Sequence, residues 1–384
     1  MSAGVLSKQQ VQKLIEPRLQ GKRVIHSTVG RDIEVDGSSF DLPIGRKYWE
    51  MRGSCRTGKD LNVRDIISKY AKQEKASTLE EEMVLKKGNV YLFEVGCQLD
   101  LSSTGIEGKA TGRSSIGRLD VLVRLLTDKG TRFDRIPRNY DQALYLEVTP
   151  ITFHLLVRPG TRLSQVRLSR GSEQLVTLTK EALLLEDPEE FPVVDRDGNP
   201  LDKDWDADVD LHDCWYPFGL DLDPDPQAGC AGFVAKNNVD HPVDPDAKNS
   251  LDPTEFWEPV YANDNAIRLE LNRLYILRSK ERLRIPGHMA LECQAYTETM
   301  GEWRIEYAGF AHPWFGRTRQ YGTPIIFEVR GHNIPTILTD GIPLGNVCFR
   351  RMSQPITTPP EPGVYEKQEL KLSSCFGPWP AQGV

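Results

Sequence analysis

Gly112, Arg113, Ser114, Ser115, Ile116, Gly117 and Arg118 form one string that gathers two guanidinium groups and two hydroxyls at a glycine-flanked reversal of the chain. Such a set supplies side-chain donors and exposed backbone N–H groups to phosphate oxygens, and a helical turn starting there would add favourable partial charge. An ordinary Ser-rich turn between strands uses the same residue types. Further along, residues 143–149 alternate so that Leu144, Leu146 and Val148 share one face and Tyr145, Glu147 and Thr149 the other. On an open face Glu147 is a solvated acid. On a face that lines a pocket, burial raises its pKa and makes it a proton shuttle.

Other chemistries find fewer residues to use. There is no H-x-E followed by P-C-x-x-C, no G-x-x-x-x-G-K-[ST] loop, no G-x-G-x-x-G and no G-x-S-x-G elbow. The seven histidines (26, 154, 212, 241, 288, 312, 332) lack HxxxH or HExxH spacing and read as structural. The seven cysteines are odd in number, scattered and without a CxxC, so they read as buried thiols rather than disulfides or a zinc site. Asp195, Arg196, Asp197 and Gly198 resemble the start of a calcium loop, but the later oxygen ligands and the closing Glu are missing.

The elements that must position these residues are mostly short, β-branched or aromatic runs ended by Gly, Pro or Asn, preceded by one capped helix announced by Ser7 and Gln10. Two separate motifs recur at one spacing: Leu146, Glu147 and Val148 match Phe327, Glu328 and Val329, and Gly160 to Val166 match Gly341 to Val347, both 181 residues on. Two looser matches, Phe40-Asp41-Leu42 with Leu220-Asp221-Leu222 and Asn89-x-x-Leu92 with Asn272-x-x-Tyr275, keep the order. The expected organisation is two copies of one β domain over 1–180 and 213–350, an acidic linker over 181–212 and a tail over 351–384.

Length and charge agree with this. The 384 residues carry a net charge of −7 and are enough for two domains. Residues 111–170 hold ten Arg and one Lys against five acids, whereas 186–255 hold 20 acids and four bases. A basic island in an acidic chain suits a local anionic ligand better than a nucleic-acid groove, which needs a broad basic face. With no long apolar run and no signal-peptide layout at the start, a cytoplasmic protein without membrane contact is expected.

The string 112–118, preceded by Ser39, Phe40, Asp41, Leu42, Pro43, Ile44 and Gly45, and followed by Leu144 to Glu147 and by Leu156, Val157, Arg158, Pro159 and Gly160, resembles the dCTP deaminase branch of the dUTPase-like family over residues 38–168. The resemblance implies a mainly β fold of two tandem β-clip, distorted-barrel domains with a few short helices. It also implies trimers with active sites between subunits, and zinc-independent deamination of dCTP to dUTP and ammonia in pyrimidine deoxynucleotide biosynthesis. Carried across, Glu147 would be the general base, Ser114 and Arg118 would orient water and carboxylate, and Arg113 with Ser115 would hold a triphosphate bridged by Mg²⁺, with no metal bound directly by the protein. Tyr140 would wall the base pocket. Asp134 opens a turn longer than the family's Asp-Pro-Gly-Trp. Tyr365 and Gln368 would belong to a tail that closes over the nucleotide, with dTTP a candidate inhibitor.

The second copy departs from the motif: at the positions of Arg113, Ser114, Ser115 and Arg118 it carries Thr297, Glu298, Thr299 and Glu302, where acids would repel a triphosphate. It keeps Glu328, which could contribute to a composite site. The readings competing with deamination are dUTP pyrophosphatase activity, alone or combined with it, and a non-catalytic nucleotide-binding scaffold.

Overall fold

The alternating runs become antiparallel strands. The computed structural model describes residues 2–16, 24–185, 190–201, 215–295, 303–305, 309–361 and 363–380. The first barrel comprises β1 (Ser39–Met51), β2 (Val90–Val95), β3 (Ile106–Gly112), β4 (Val121–Leu126), β5 (Arg135–Ile136), β6 (Tyr145–Pro150) and β7 (Arg162–Arg170). They hydrogen-bond in the order β4-β6-β2-β1-β7-β3-β5. Leu42, Ile44, Phe93, Leu146, Val148 and Val166 are fully buried, and each such side chain contributes about 1.5–3 kcal/mol.

Two helices close this barrel. Over α1 (Lys8–Ile15) Ser7 and Gln10 form the expected capping box, and Val11 and Leu14 turn inward. A second helix, α2 (Val63–Tyr70), was not expected from the sequence; it buries Val63, Ile66 and Ile67 against Trp49, Leu92, Leu126 and Tyr145. Its spacing of apolar residues is helical, but eight residues give a weak periodic signal.

The second barrel repeats the strand order of the first: β8 (Trp215–Asp221), β9 (Leu274–Leu283), β10 (Met289–Ala295), β11 (Trp303–Ile305), β12 (Phe310–Ala311), β13 (Thr323–Gly331) and β14 (Pro343–Arg351). Their order, β11-β13-β9-β8-β14-β10-β12, is that of the first barrel. Two hydrogen bonds fix the alignment. Tyr91 Oη accepts from Lys86 N (3.0 Å) as Tyr275 Oη accepts from Glu270 N (2.9 Å), so Tyr275 matches Tyr91 and the looser sequence match was one residue out.

The match of Phe40-Asp41-Leu42 to Leu220-Asp221-Leu222 is also corrected. Phe40 pairs with Val166 as Tyr216 pairs with Val347, which makes Tyr216 the counterpart of Phe40 and Leu220 that of Ile44. The cause is an interruption: the long β1 is represented in the second unit by β8 and a separate strand, Gly232–Ala235, with a loop between them.

The chain divides into one unit of residues 1–172 with 240–246 and another of residues 173–239 with 247–384. The second copy therefore starts well before residue 213. Leu178 N donates to Phe349 O as Leu6 N donates to Leu168 O, both at 2.9 Å, and Thr179 Oγ1 accepts from Ala182 N (3.3 Å) at the head of α4 (Lys180–Leu184), as Ser7 does for α1. Part of the expected linker is core: Phe191 and Val193 are buried and Val193 pairs with Leu283. The tail also packs within this unit, where Phe376 sits against Phe256 and Trp257.

In the first unit, the small antiparallel pair Met83–Leu85 and Leu155–Val157 gains a third member from residues 240–246. Val243 is fully buried, its N–H donating to His154 O (2.8 Å) and its carbonyl accepting from Leu156 N (2.9 Å), while Asp244 pairs with Arg158 (2.9 Å) and Asp246 accepts from Thr161 Oγ1 (2.8 Å).

Candidate active site

Glu147 lies in the middle of β6, opposite Arg124 on β4 and Leu92 on β2. Its face of the strand is covered, and it is only 3% exposed. The cover is the loop after β1. Ser54 Oγ donates to Glu147 Oε1 at 2.6 Å and Cys55 N donates to Oε2 at 3.1 Å. Burial pushes the carboxyl pKa up, and these two hydrogen bonds and the Arg124 charge pull it back.

The loop is pinned on both sides of these donors. Arg52 N donates to Tyr70 O, Gly58 N donates to Gly130 O, and Thr57 Oγ1 donates to Thr127 O and Gly130 O, all at 2.9 Å. Neither Ser54 nor Cys55 stood out in the sequence, because the contact spans more than ninety positions and no local motif encodes it. Cys55 and Cys293 are also the described cysteines that are half-exposed rather than buried.

Asp134 holds the next layer. Its Oδ1 accepts from Leu125 N (2.8 Å), its Oδ2 lies 3.3 Å from Arg124, and its own N–H donates to Leu125 O (2.9 Å). Burial drives its pKa up to about 6 despite the guanidinium. It therefore steadies Arg124 within the unit. Tyr140 is buried, its hydroxyl donating to Ala143 O (2.8 Å) and accepting from Asp128 N (3.1 Å), which braces the turn before β6.

The serine–arginine string leaves β3 as the short helical turn α3 (Ser114–Gly117), with Arg113 at its head; Ser115 and Arg118 are buried. Arg113 Nε lies 3.3 Å from Asp41 on β1, and its Nη1 donates to Arg162 O (3.4 Å). Along the β4–β6 ladder Val121 faces Pro150 and Arg124 faces Glu147, and α3 precedes β4, joined to it by the turn Arg118–Asp120. Within one chain the hydrogen bonds of Glu147 go to Ser54 and Cys55.

Glu328 occupies the corresponding place in the second unit, buried on β13 opposite Ile276. Thr297, Glu298, Thr299 and Glu302 lie outside the described residues. Tyr365 accepts from Ser374 N (3.1 Å), and buried Gln368 donates to Pro324 O (3.0 Å), both inside the second unit. Among the described residues no cluster of three or more His, Cys, Asp or Glu is placed to hold a metal ion, and no helix is long and apolar enough to cross a membrane.

A duplicated antiparallel barrel with a buried, two-donor-held carboxylate in one copy and a basic Ser-Ser turn on the same sheet defines a mainly β protein of two like domains. Residues 2–172 match the model of the 2'-deoxycytidine 5'-triphosphate deaminase (DCD) N-terminal domain, and residues 204–376 that of the C-terminal domain. A 2'-deoxycytidine 5'-triphosphate deaminase from Agrobacterium tumefaciens is 30% identical, with a TM-score of 0.78 over 92% of this chain and 99% of that one. A Staphylococcus bacteriophage dUTPase aligns over 38% of this chain and 89% of its own, at 10% identity and a TM-score of 0.23. Nothing among the curated proteins matches the chain. The chain belongs to the 2'-deoxycytidine 5'-triphosphate deaminase family.

Proposed function

We propose that the protein deaminates dCTP to dUTP and ammonia without zinc, with Glu147 as the general base. The carrying observation is the Glu147 carboxylate, buried, ionisable and held by two donors on a chain of this family. Glu147 takes a proton from water as its oxygen attacks C4 of cytosine, then passes that proton to the departing amine, so the carboxylate is regenerated. Ser114 and Arg118 are assigned to orienting the water and the carboxylate, and Arg113 and Ser115 to the triphosphate, with Mg²⁺ arriving on the nucleotide as part of the substrate.

A site shared between chains is supported by the hydrogen bonds of Glu147, which within one chain go to Ser54 and Cys55 and leave the basic turn to be supplied by a second copy. Assembly as a trimer is part of this reading, and light scattering gives its mass. Glu328 and the tail residues Tyr365 and Gln368 are assigned supporting places.

Chromatography of products from dCTP and from dUTP tests the reaction. The expected product is dUTP with ammonia, lost about 10²–10⁴-fold in Glu147→Gln while nucleotide binding persists. Formation of dUMP with pyrophosphate would make the protein a pyrophosphatase, and tight binding without turnover would make it a scaffold.

A further inference from the structure

We propose that Ser54 is a positioning residue for the general base: its hydroxyl, with the Cys55 N–H, fixes the direction of the Glu147 carboxylate and keeps it ionised for proton abstraction. This rests on the function proposed above. Ser54 belongs to none of the motifs that carry the family resemblance, and it comes from the loop after β1, 93 positions from Glu147 in the sequence.

Three observations carry the assignment. The contact is short and charge-assisted, at 2.6 Å, and each carboxylate oxygen has its own donor, so rotation about the last side-chain bond is blocked. A carboxylate offers about four acceptor sites, which leaves room for water and the departing amine while both donors stay in place. The loop holding the donors is pinned at Arg52, Thr57 and Gly58, so the hydroxyl is delivered by a fixed backbone rather than by a mobile side chain.

The charged and titratable groups facing Glu147 are Arg124 from β4, itself paired with Asp134, and the Cys55 thiol from the loop. Burial raises the Glu147 pKa, and Ser54 is the foremost influence opposing it. Removing a donor that favours the charged form must raise the pKa further.

The test pairs kinetics with titration of the folded enzyme. In Ser54→Ala the acidic limb of the kcat profile moves up by about 0.5–1 pH unit, with kcat near neutral pH reduced about three- to tenfold and KM changed less than about twofold. Ser54→Thr, which keeps the hydroxyl, restores most of both. Carbon-13 NMR of labelled glutamate, with the Glu147 signal assigned through Glu147→Gln, reads the same shift without any turnover. A Ser54→Ala enzyme whose NMR midpoint and acidic limb match those of the wild type overturns the proposal, as does an equal loss in Ala and Thr variants with an unmoved midpoint. Should the wild type fail to deaminate dCTP, the proposed function fails on that count alone, and the NMR midpoints still decide whether Ser54 governs the carboxylate.

Discussion

Asp41 Oδ2 lies 3.3 Å from Arg113 Nε, so the arginine assigned to the triphosphate is already held by a carboxylate from the neighbouring part of the sheet. Burial raises the Asp41 pKa to about 6, and the charges that face it are Arg113 and Arg162, which lower it, and Glu34 and Asp36, which raise it. On the proposed assignment of Arg113 to the triphosphate, nucleotide and Asp41 compete for one guanidinium.

Asp41→Asn is expected to bind dCTP with Mg²⁺ about three- to tenfold more tightly at pH 7.5, because the competing charge is gone. Wild-type affinity rises as pH falls through about 6 and Asp41 takes a proton, and the variant lacks that component. Calorimetry at pH 5.5 and 7.5 in the non-turnover Glu147→Gln background measures both, and protonation of the triphosphate itself cancels between the two proteins. Equal affinities and equal pH dependence would show that Asp41 does not compete.

Asp134 gives a pH dependence of stability. Its folded pKa of about 6 lies above the ordinary 3.8, so the folded protein holds a proton that the unfolded chain releases. Its contribution is greatest below pH 4, declines between 4 and 6, and is flat above. In Asp134→Asn the loss of stability across that window should be shallower by up to about 3 kcal/mol, read from denaturant unfolding at pH 4.5 and 7.5. The slope is compared rather than the absolute stability, because the substitution also removes the Arg124 contact.

Glu369 ties the tail to the second unit through a two-pronged pair with Arg282 (2.9 and 2.8 Å) and a contact to Arg319 (2.9 Å). Burial would raise its pKa, but the hydrogen bonds and charge of Arg282 and then Arg319 outweigh it and hold the carboxyl below its usual range. This contribution is present above the ordinary glutamate pKa and is lost as pH falls through the depressed one. Glu369→Ala leaves Arg282, only 7% exposed, without this partner, at a cost of about 3 kcal/mol or more. The tail from about residue 363 should then be cut by protease at rates well above those of the wild type. Unchanged cutting would mean that the remaining contacts, among them those of Phe376 and Gln368, hold the tail without Glu369.

Much of the architecture was readable because strands advertise themselves locally. The matches of Glu147 with Glu328 and of Gly160 with Gly341 survive in the three-dimensional register, since the two acids lie in matching strands, the two glycines in the turns that follow, and no insertion separates them. Phe40 was mispaired because a three-residue alternating motif carries no memory of how many residues a bulge or loop has added upstream. The repeated helix cap at Thr179 was hidden by the brevity of α4, and α2 by its eight residues. At the site, Glu147 and the basic turn were legible as residue types in a pattern. Ser54, Cys55, Arg124 and Asp41 were not, because each owes its role to a partner across the sheet or from a distant loop.

The seating of Val243 in the first unit has a genetic consequence. The stretch encoding residues 240–246 lies among codons of the second copy, yet the protein it makes finishes the other one. A gene split at the junction of the two family domains would leave the upstream half short of Val243, with Arg158 and Thr161 deprived of the acids that meet them. Recombination with a single-copy relative would break the same bargain. The two copies can diverge in sequence, as they have, while a segment encoded within one completes the fold of the other.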